Sequence, residues 1–226
     1  MRNVGSTYSW KTIYEYEYLY AGPLFIHQYS HLWIDFRGIQ DDFMRAKGID
    51  YFENSRRATL VQHEYSIRNP LQSKHLCECC WGITASEGPG PAVLKIDGVE
   101  RRFFDYVARG VPFGPDDGTI APWAVVTSLP FAPEIVLPTI ENMIQMEHGP
   151  NACEYGLVSS FNPTFPGPTP LGWVSPWTYG INQGALVLMV ENYRSGLVWN
   201  LMTRCPYVVK GLERASFSGG WLGVKE

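Results

Sequence analysis

The chain has 226 residues, of which 45% are hydrophobic, 14% aromatic and 18% charged, and its formal net charge is −4 at pH 7. A chain of this length can bury a core, and so many aromatics with so few charges exclude a disordered polymer. It lacks the cationic excess that neutralises a phosphate backbone, so nucleic acid is excluded as a partner. The 8 Trp, 13 Tyr and 11 Phe exceed what one core requires.

In chain order, residues 1–22 contain no apolar leader stretch, and with neither a helix cap nor clean alternation they read as a loop from inside a larger domain. Gly22-Pro23 predicts a helix reaching His31 or Trp33, with Pro in the first turn, where its missing N–H is not needed. A second short helix is expected over Gly38 to Lys47, ended by Gly48. The clearest helix is Tyr51 to Arg68, with Asp50 and Glu53 spaced as in a capping box and Asn69-Pro70 as its stop. Residues 71–120 lose helical period, and VLKIDGVERRFF predicts a hairpin turning at Asp97-Gly98. Asp116-Asp117-Gly118 is a further turn signal. A helical pair follows over Ile120–Leu129 and Ala132–Glu147, then a Pro-rich loop over residues 149–182. One long helix is predicted over Gln183–Met202 and a last one over Pro206–Arg214. No apolar run is long enough to span a membrane.

About seven helices therefore carry two long Gly/Pro/Trp-rich loops. Loops of that length inside a domain are usually functional or disordered, and these aromatic ones read as ordered walls of a binding site; the alternative is that their aromatics plug a small core under the loops. Acids lie beside aromatics in them: Trp33, Asp35 and Arg37 in WIDFR, Trp81 and Glu87 in WGITASEG, Asp116 and Asp117, and Trp173, Trp177 and Tyr179 in GWVSPWTYG. Sugars suit such a lining, because a pyranose stacks its apolar face on an aromatic ring and turns its hydroxyl edge to acids and Arg. Hydrolysis of a glycosidic bond then needs two carboxyl groups. Each acid also has a plain structural reading. Asp35 can simply pair with Arg37, and Asp117 can be a turn residue. Glu87, between Ser86 and Gly88, is poorly placed for a buried pair and reads as functional. His27, His31 and Asp35 recur at intervals of four and would share a helix face, as hydroxyl binders or metal ligands. The five cysteines, three of them in HLCECC beside His75, suggest neither a disulfide framework nor a metal site, since Cys79 and Cys80 are adjacent. No metal and no cofactor are expected.

Several long strings, in order, resemble one family: GPLFIHQYSHLWIDFRGIQDDFMRAKGIDYFENSRRATL, WGITASEGP, DGTIAPWAVVTSLPFAPEIVLP, SSFNP and GINQGALVLMVENYRSGLVWNLMTRCPYVVKGLERASF. They are similar to the glycoamylase-like family, which includes bacterial endo-β-1,2-glucanases and is related to the cyclising region of cyclic β-1,2-glucan synthases. The resemblance implies a mainly α fold, an (α/α)6 toroid of six helical hairpins around a glucan cleft, with at most a short β-hairpin. It implies that residues 1–226 are the C-terminal part of one such domain, because the strings that resemble the family's acid and base helices do not occur here. The implied function is a glycoside hydrolase-type domain acting on β-glucan, β-1,2-linked; the alternative is a non-catalytic carbohydrate-binding or assembly remnant. The implied partner is a glucan oligosaccharide or polysaccharide, with self-association through exposed inner helices, and the location is periplasmic or secreted if a longer chain carries a leader. Asp35 and Glu87 are then the acids on offer, and Trp33, Arg37, Trp81, Trp177, Tyr179, His27 and His31 the substrate-binding side chains.

Overall fold

The computed structural model describes residues 9–147 and 156–223, so Cys153 and the acid Glu154 lie outside the described residues. The described residues hold seven α-helices: α1 Asp42–Lys47, α2 Tyr51–Arg68, α3 Pro122–Thr127, α4 Pro133–Glu147, α5 Gly180–Ser195, α6 Leu197–Met202 and α7 Pro206–Arg214. Eight short strands pair as four two-stranded antiparallel sheets: β1 Trp10–Ile13 with β2 Tyr16–Leu19, β3 Ala85–Ser86 with β6 Val107–Ala108, β4 Ala92–Ile96 with β5 Val99–Phe103, and β7 Phe161–Asn162 with β8 Trp173–Val174. The fold is mainly α, with more strand than the single hairpin expected.

The caps explain the best-defined helix. Asp50 accepts from the Glu53 N–H at 2.8 Å and Glu53 in turn accepts from Arg57 at 2.7 Å. Asn69 closes α2 in the left-handed region, at φ 40°, and its side-chain amide holds the Ser73 and Leu76 carbonyls. The buried face of α2 is unusually polar, and hydrogen bonds rather than contrast in hydrophobicity satisfy it. Gln62 donates to the Ile83 carbonyl and accepts from the Ile83 N–H, as a strand partner would. Asn54 accepts from the Leu19 N–H at 2.7 Å.

Three expectations change. Residues 10–19 form a hairpin rather than a loop. Its turn uses Tyr14 and Glu15 at φ 47° and 75°, in the left-handed region where Gly or Asn usually signals a turn. The helix expected from Gly22 is two 3₁₀ turns, Leu24–His27 and Tyr29–Leu32. Bonds to other elements hold it there: the Phe25 N–H donates to Thr84 Oγ1 at 3.0 Å, and the Gln28 amide donates to the Ala124 carbonyl and Ser128 Oγ, both at 2.7 Å. The long last-third helix is split into α5 and α6 at Gly196, φ 68°. The hairpin at Asp97-Gly98 forms as expected, with both residues at positive φ.

At the centre lies α3, every residue of which is buried. The largest apolar cluster surrounds it with Tyr18, Trp81, Ile120 and Phe161. Smaller clusters join Leu32 and Phe131 to Met189 and Trp199, and Phe36 and Ile39 to Leu212. Trp81, expected at the binding surface, is fully buried in the first cluster and its indole donates to Thr139 Oγ1 at 2.8 Å. Among the described residues no helix is long and apolar enough to cross a membrane.

Candidate functional site

A cavity of about 290 Å³ opens where the first 3₁₀ turns, the β3 end and the α5 start meet. Phe25, Tyr29 and Trp123 form one aromatic wall in edge-to-face contact, with ring centroids 5.5 Å and 6.1 Å apart. Glu87, just after β3, and Tyr179, the residue that opens α5, line the other side with Tyr106 and Asn182. Desolvation and the neighbouring Glu87 carboxylate push the Tyr179 phenol up to about 12, so it stays protonated across the physiological range, as a donor beside Glu87. The indole N–H of Trp123 is buried and has no hydrogen-bond partner among the described residues.

The other candidate residues sit elsewhere. His27 and His31 are buried beside a second cavity of about 280 Å³, walled largely by Ile26, Phe36, Tyr51 and Phe217. His27 Nε2 lies 3.1 Å from the Ala21 carbonyl, and His31 Nε2 lies 2.9 Å from Ser55 Oγ. Burial lowers their pKa values to about 4 and about 3, so both rings are neutral at pH 7. The break at Gln28 keeps His27, His31 and Asp35 from sharing one helix face, and among the described residues no metal-binding cluster of His, Cys, Asp or Glu forms. Asp35 and Arg37 make a two-pronged ion pair at 2.8 Å and 2.7 Å, and the guanidinium lies 4.6 Å over the Trp199 ring. The plain pairing foreseen for Asp35 is therefore what the structure contains. Trp33 and Trp177 are exposed, by 46% and 63%, and line neither cavity.

Asp116 and Asp117 are both engaged. Asp116 accepts from the Tyr65 hydroxyl at 2.8 Å and the Gly118 N–H at 2.9 Å, with burial pushing its carboxyl pKa up. Asp117 forms a fully buried ion pair with Arg109 at 2.7 Å; burial opposes its charge, but the guanidinium and two backbone N–H groups hold its pKa below the usual carboxylate range.

Of the expected site residues, the structure brings Glu87 and Tyr179 together at one cavity. Phe25, Tyr29, Tyr106 and Trp123 join them without having been singled out. Trp123 reads as a core residue because it lies in an apolar helix, and it is indeed 97% buried, although it lines the cavity.

The Glycoamylase family model, described as "Putative glucoamylase", matches residues 2–206, and the chain belongs to this glycoamylase-like family. It is 32% identical over 195 residues to the exo β-1,2-glucooligosaccharide sophorohydrolase (non-reducing end) of Parabacteroides distasonis, a match covering 86% of this chain and 23% of the relative. The crystal structure of a putative glucoamylase from Bacteroides uniformis superposes with a TM-score of 0.81 at 32% identity, covering 98% of this chain and 48% of that one. The endo-β-1,2-glucanase of Chitinophaga pinensis, solved with sophorotriose and glucose, gives 0.80 at 29% identity over 96% of this chain and 48% of its own. The chain thus spans about half the length of these solved relatives and a quarter of the curated one.

Proposed function

We propose that the chain is a glycoside hydrolase-type domain that binds β-1,2-linked glucan in the Glu87–Tyr179 cavity. Family membership and the names of its relatives support the chemistry. In this reading the helices belong to a six-hairpin toroid of which residues 1–226 are the C-terminal part, and a chain that covers 48% of the Chitinophaga endo-β-1,2-glucanase has the length for such a part. The observation that carries the reading is a carboxylate beside a phenol, Glu87 and Tyr179, that shares one cavity with a wall of three aromatic rings. Phe25 and Tyr29 of that wall offer stacking surface for pyranose faces, whereas Trp123 is almost wholly buried. The Glu87 carboxylate accepts from hydroxyls, and a hydroxyl that reaches the unpartnered Trp123 indole would satisfy it.

Hydrolysis requires a second carboxyl across the scissile bond. Asp35, Asp116 and Asp117 are each tied into bonds of their own, so among the described residues the cavity wall supplies Glu87 as its one acid. The alternative, a carbohydrate-binding remnant with no turnover, shares the same wall. Reducing-sugar release from β-1,2-glucan separates the two: turnover abolished by Glu87→Gln makes Glu87 part of a working acid pair, whereas saturable binding without turnover assigns binding alone. Absence of binding to any β-1,2-glucooligosaccharide overturns both.

A further inference from the structure

The Glu87 side of the cavity is built from separate loops, and one buried side chain joins two of them. Arg109 is fully buried, and its five N–H groups are all used. Nε and Nη2 hold the two Asp117 oxygens at 2.7 Å and 2.8 Å. Nη1 donates to the Ser86 carbonyl at 2.6 Å, one residue before Glu87. Nη2 also donates to the carbonyls of Phe104 and Asp105, both at 3.1 Å, the latter one residue before Tyr106. The Glu87 carbonyl is pinned from the other side by the Ser160 hydroxyl at 3.0 Å.

Gly88 fits this arrangement: a Cβ there would overlap Arg109 Nη2 and the Phe104 carbonyl oxygen. The glycine after Glu87 is thus required by the approach of a guanidinium and not by a turn. Asp117 keeps the fork in place and also accepts from the Phe104 N–H at 2.9 Å. Lysine cannot reproduce this planar pattern of donors.

From this geometry we infer that Arg109 is a positioning residue for the carbohydrate site: it fixes the Glu87 strand against the Asp105–Tyr106 segment, and Gly88 is the space it needs. The inference rests on the carbohydrate reading of the cavity only for its effect on sugar. Its effect on the Tyr179 phenol beside Glu87 is independent of any ligand.

The test compares Arg109→Lys and Gly88→Ala with wild type and with Asp116→Asn, whose carboxylate touches neither the Ser86 nor the Asp105 carbonyl. Two quantities are read: the Tyr179 phenol titration, by carbon NMR of ring-labelled tyrosine, and the affinity for sophorotriose. Glu87, Asp105 and Tyr106 are the groups that raise the Tyr179 phenol from the facing loops, so displaced loops lower it. The expected result is a fall of the titration midpoint from about 12 toward the ordinary tyrosine value of about 10 in both positioning variants. Sugar affinity falls about tenfold with it, since small misplacements of a site are costly. Asp116→Asn leaves both readings at the wild-type value. If Arg109→Lys does not fold, Gly88→Ala, which keeps both Arg109 and Asp117 and displaces only the guanidinium edge nearest Glu87, decides. Unchanged Tyr179 titration in the folded variants overturns the inference, even where the melting temperature falls. A shifted titration in a protein whose wild type binds no sugar upholds the positioning role and rejects the carbohydrate reading instead.

Discussion

Glu87 and Tyr179 are 92 positions apart in number and meet because β3 and the start of α5 end at the same cavity. Glu87→Gln removes the charge that the Tyr179 phenol faces, so its titration midpoint moves down from about 12, measured by ultraviolet or NMR titration. The buried histidines give a second residue-scale prediction. Their folded pKa values, about 4 and about 3, lie below the ordinary value of 6.5. Above pH 6.5 both states are neutral and the stability is fully present. Between pH 6.5 and about 4 the unfolded chain takes up protons that the folded chain refuses, so stability falls as the pH falls. Each histidine contributes a slope of about 1.4 kcal/mol per pH unit in that window. Denaturant melts at pH 6.5, 5.5 and 4.5 check it, and His31→Phe shallows the slope by one histidine's share.

At the scale of elements, legibility followed the caps. α2 was readable to the residue because Asp50, Glu53 and Asn69 are local signals. The break between α5 and α6 has a local signal too, Gly196 in the left-handed region, but the apolar period that continues on both sides of it masks the stop. Gly196 has no side chain to offer, and Asn192, a turn earlier, accepts from the Trp199 N–H at 3.2 Å and donates to the Leu32 carbonyl at 3.0 Å. The first hairpin was hidden by a turn built from Tyr and Glu, and the 3₁₀ segment by bonds to Thr84, Ala124 and Ser128 far along the chain. Those long-range bonds have no signature in local period. The same holds at the site: Glu87 could be singled out from its odd neighbours, whereas Trp123 and Arg109 gain their roles only from tertiary approach. Asn192→Ala leaves a buried carbonyl and a helix N–H unpaired at once, which costs about 3 kcal/mol. Equilibrium urea unfolding measures this, and the far-ultraviolet spectrum should keep α5 while the α6 turn frays.

At the scale of the molecule, α4 to α7 each present large apolar side chains to solvent: Leu137, Val187, Leu201 and Tyr207 are exposed by 44%, 61%, 60% and 87%. Where such side chains adjoin in one patch, they mark contact with other protein. The isolated 226-residue chain is therefore expected to self-associate with rising concentration and to bind an apolar dye, as sedimentation and fluorescence will show; a sharp, reversible, monomeric melt is the opposite outcome. The measurement that tests the central claim most directly is calorimetric titration of the chain with sophorotriose, with maltotriose as the linkage control, on wild type, Glu87→Gln and Tyr106→Ala. Tyr106 is 66% exposed, so its removal leaves the core intact. The account predicts saturable binding of the β-1,2-linked sugar, none of maltotriose, and at least a tenfold loss in each variant, the size expected when a stacking ring or a charged hydrogen-bond partner is removed. Equal binding of the two sugars, or wild-type affinity in both variants, would contradict it.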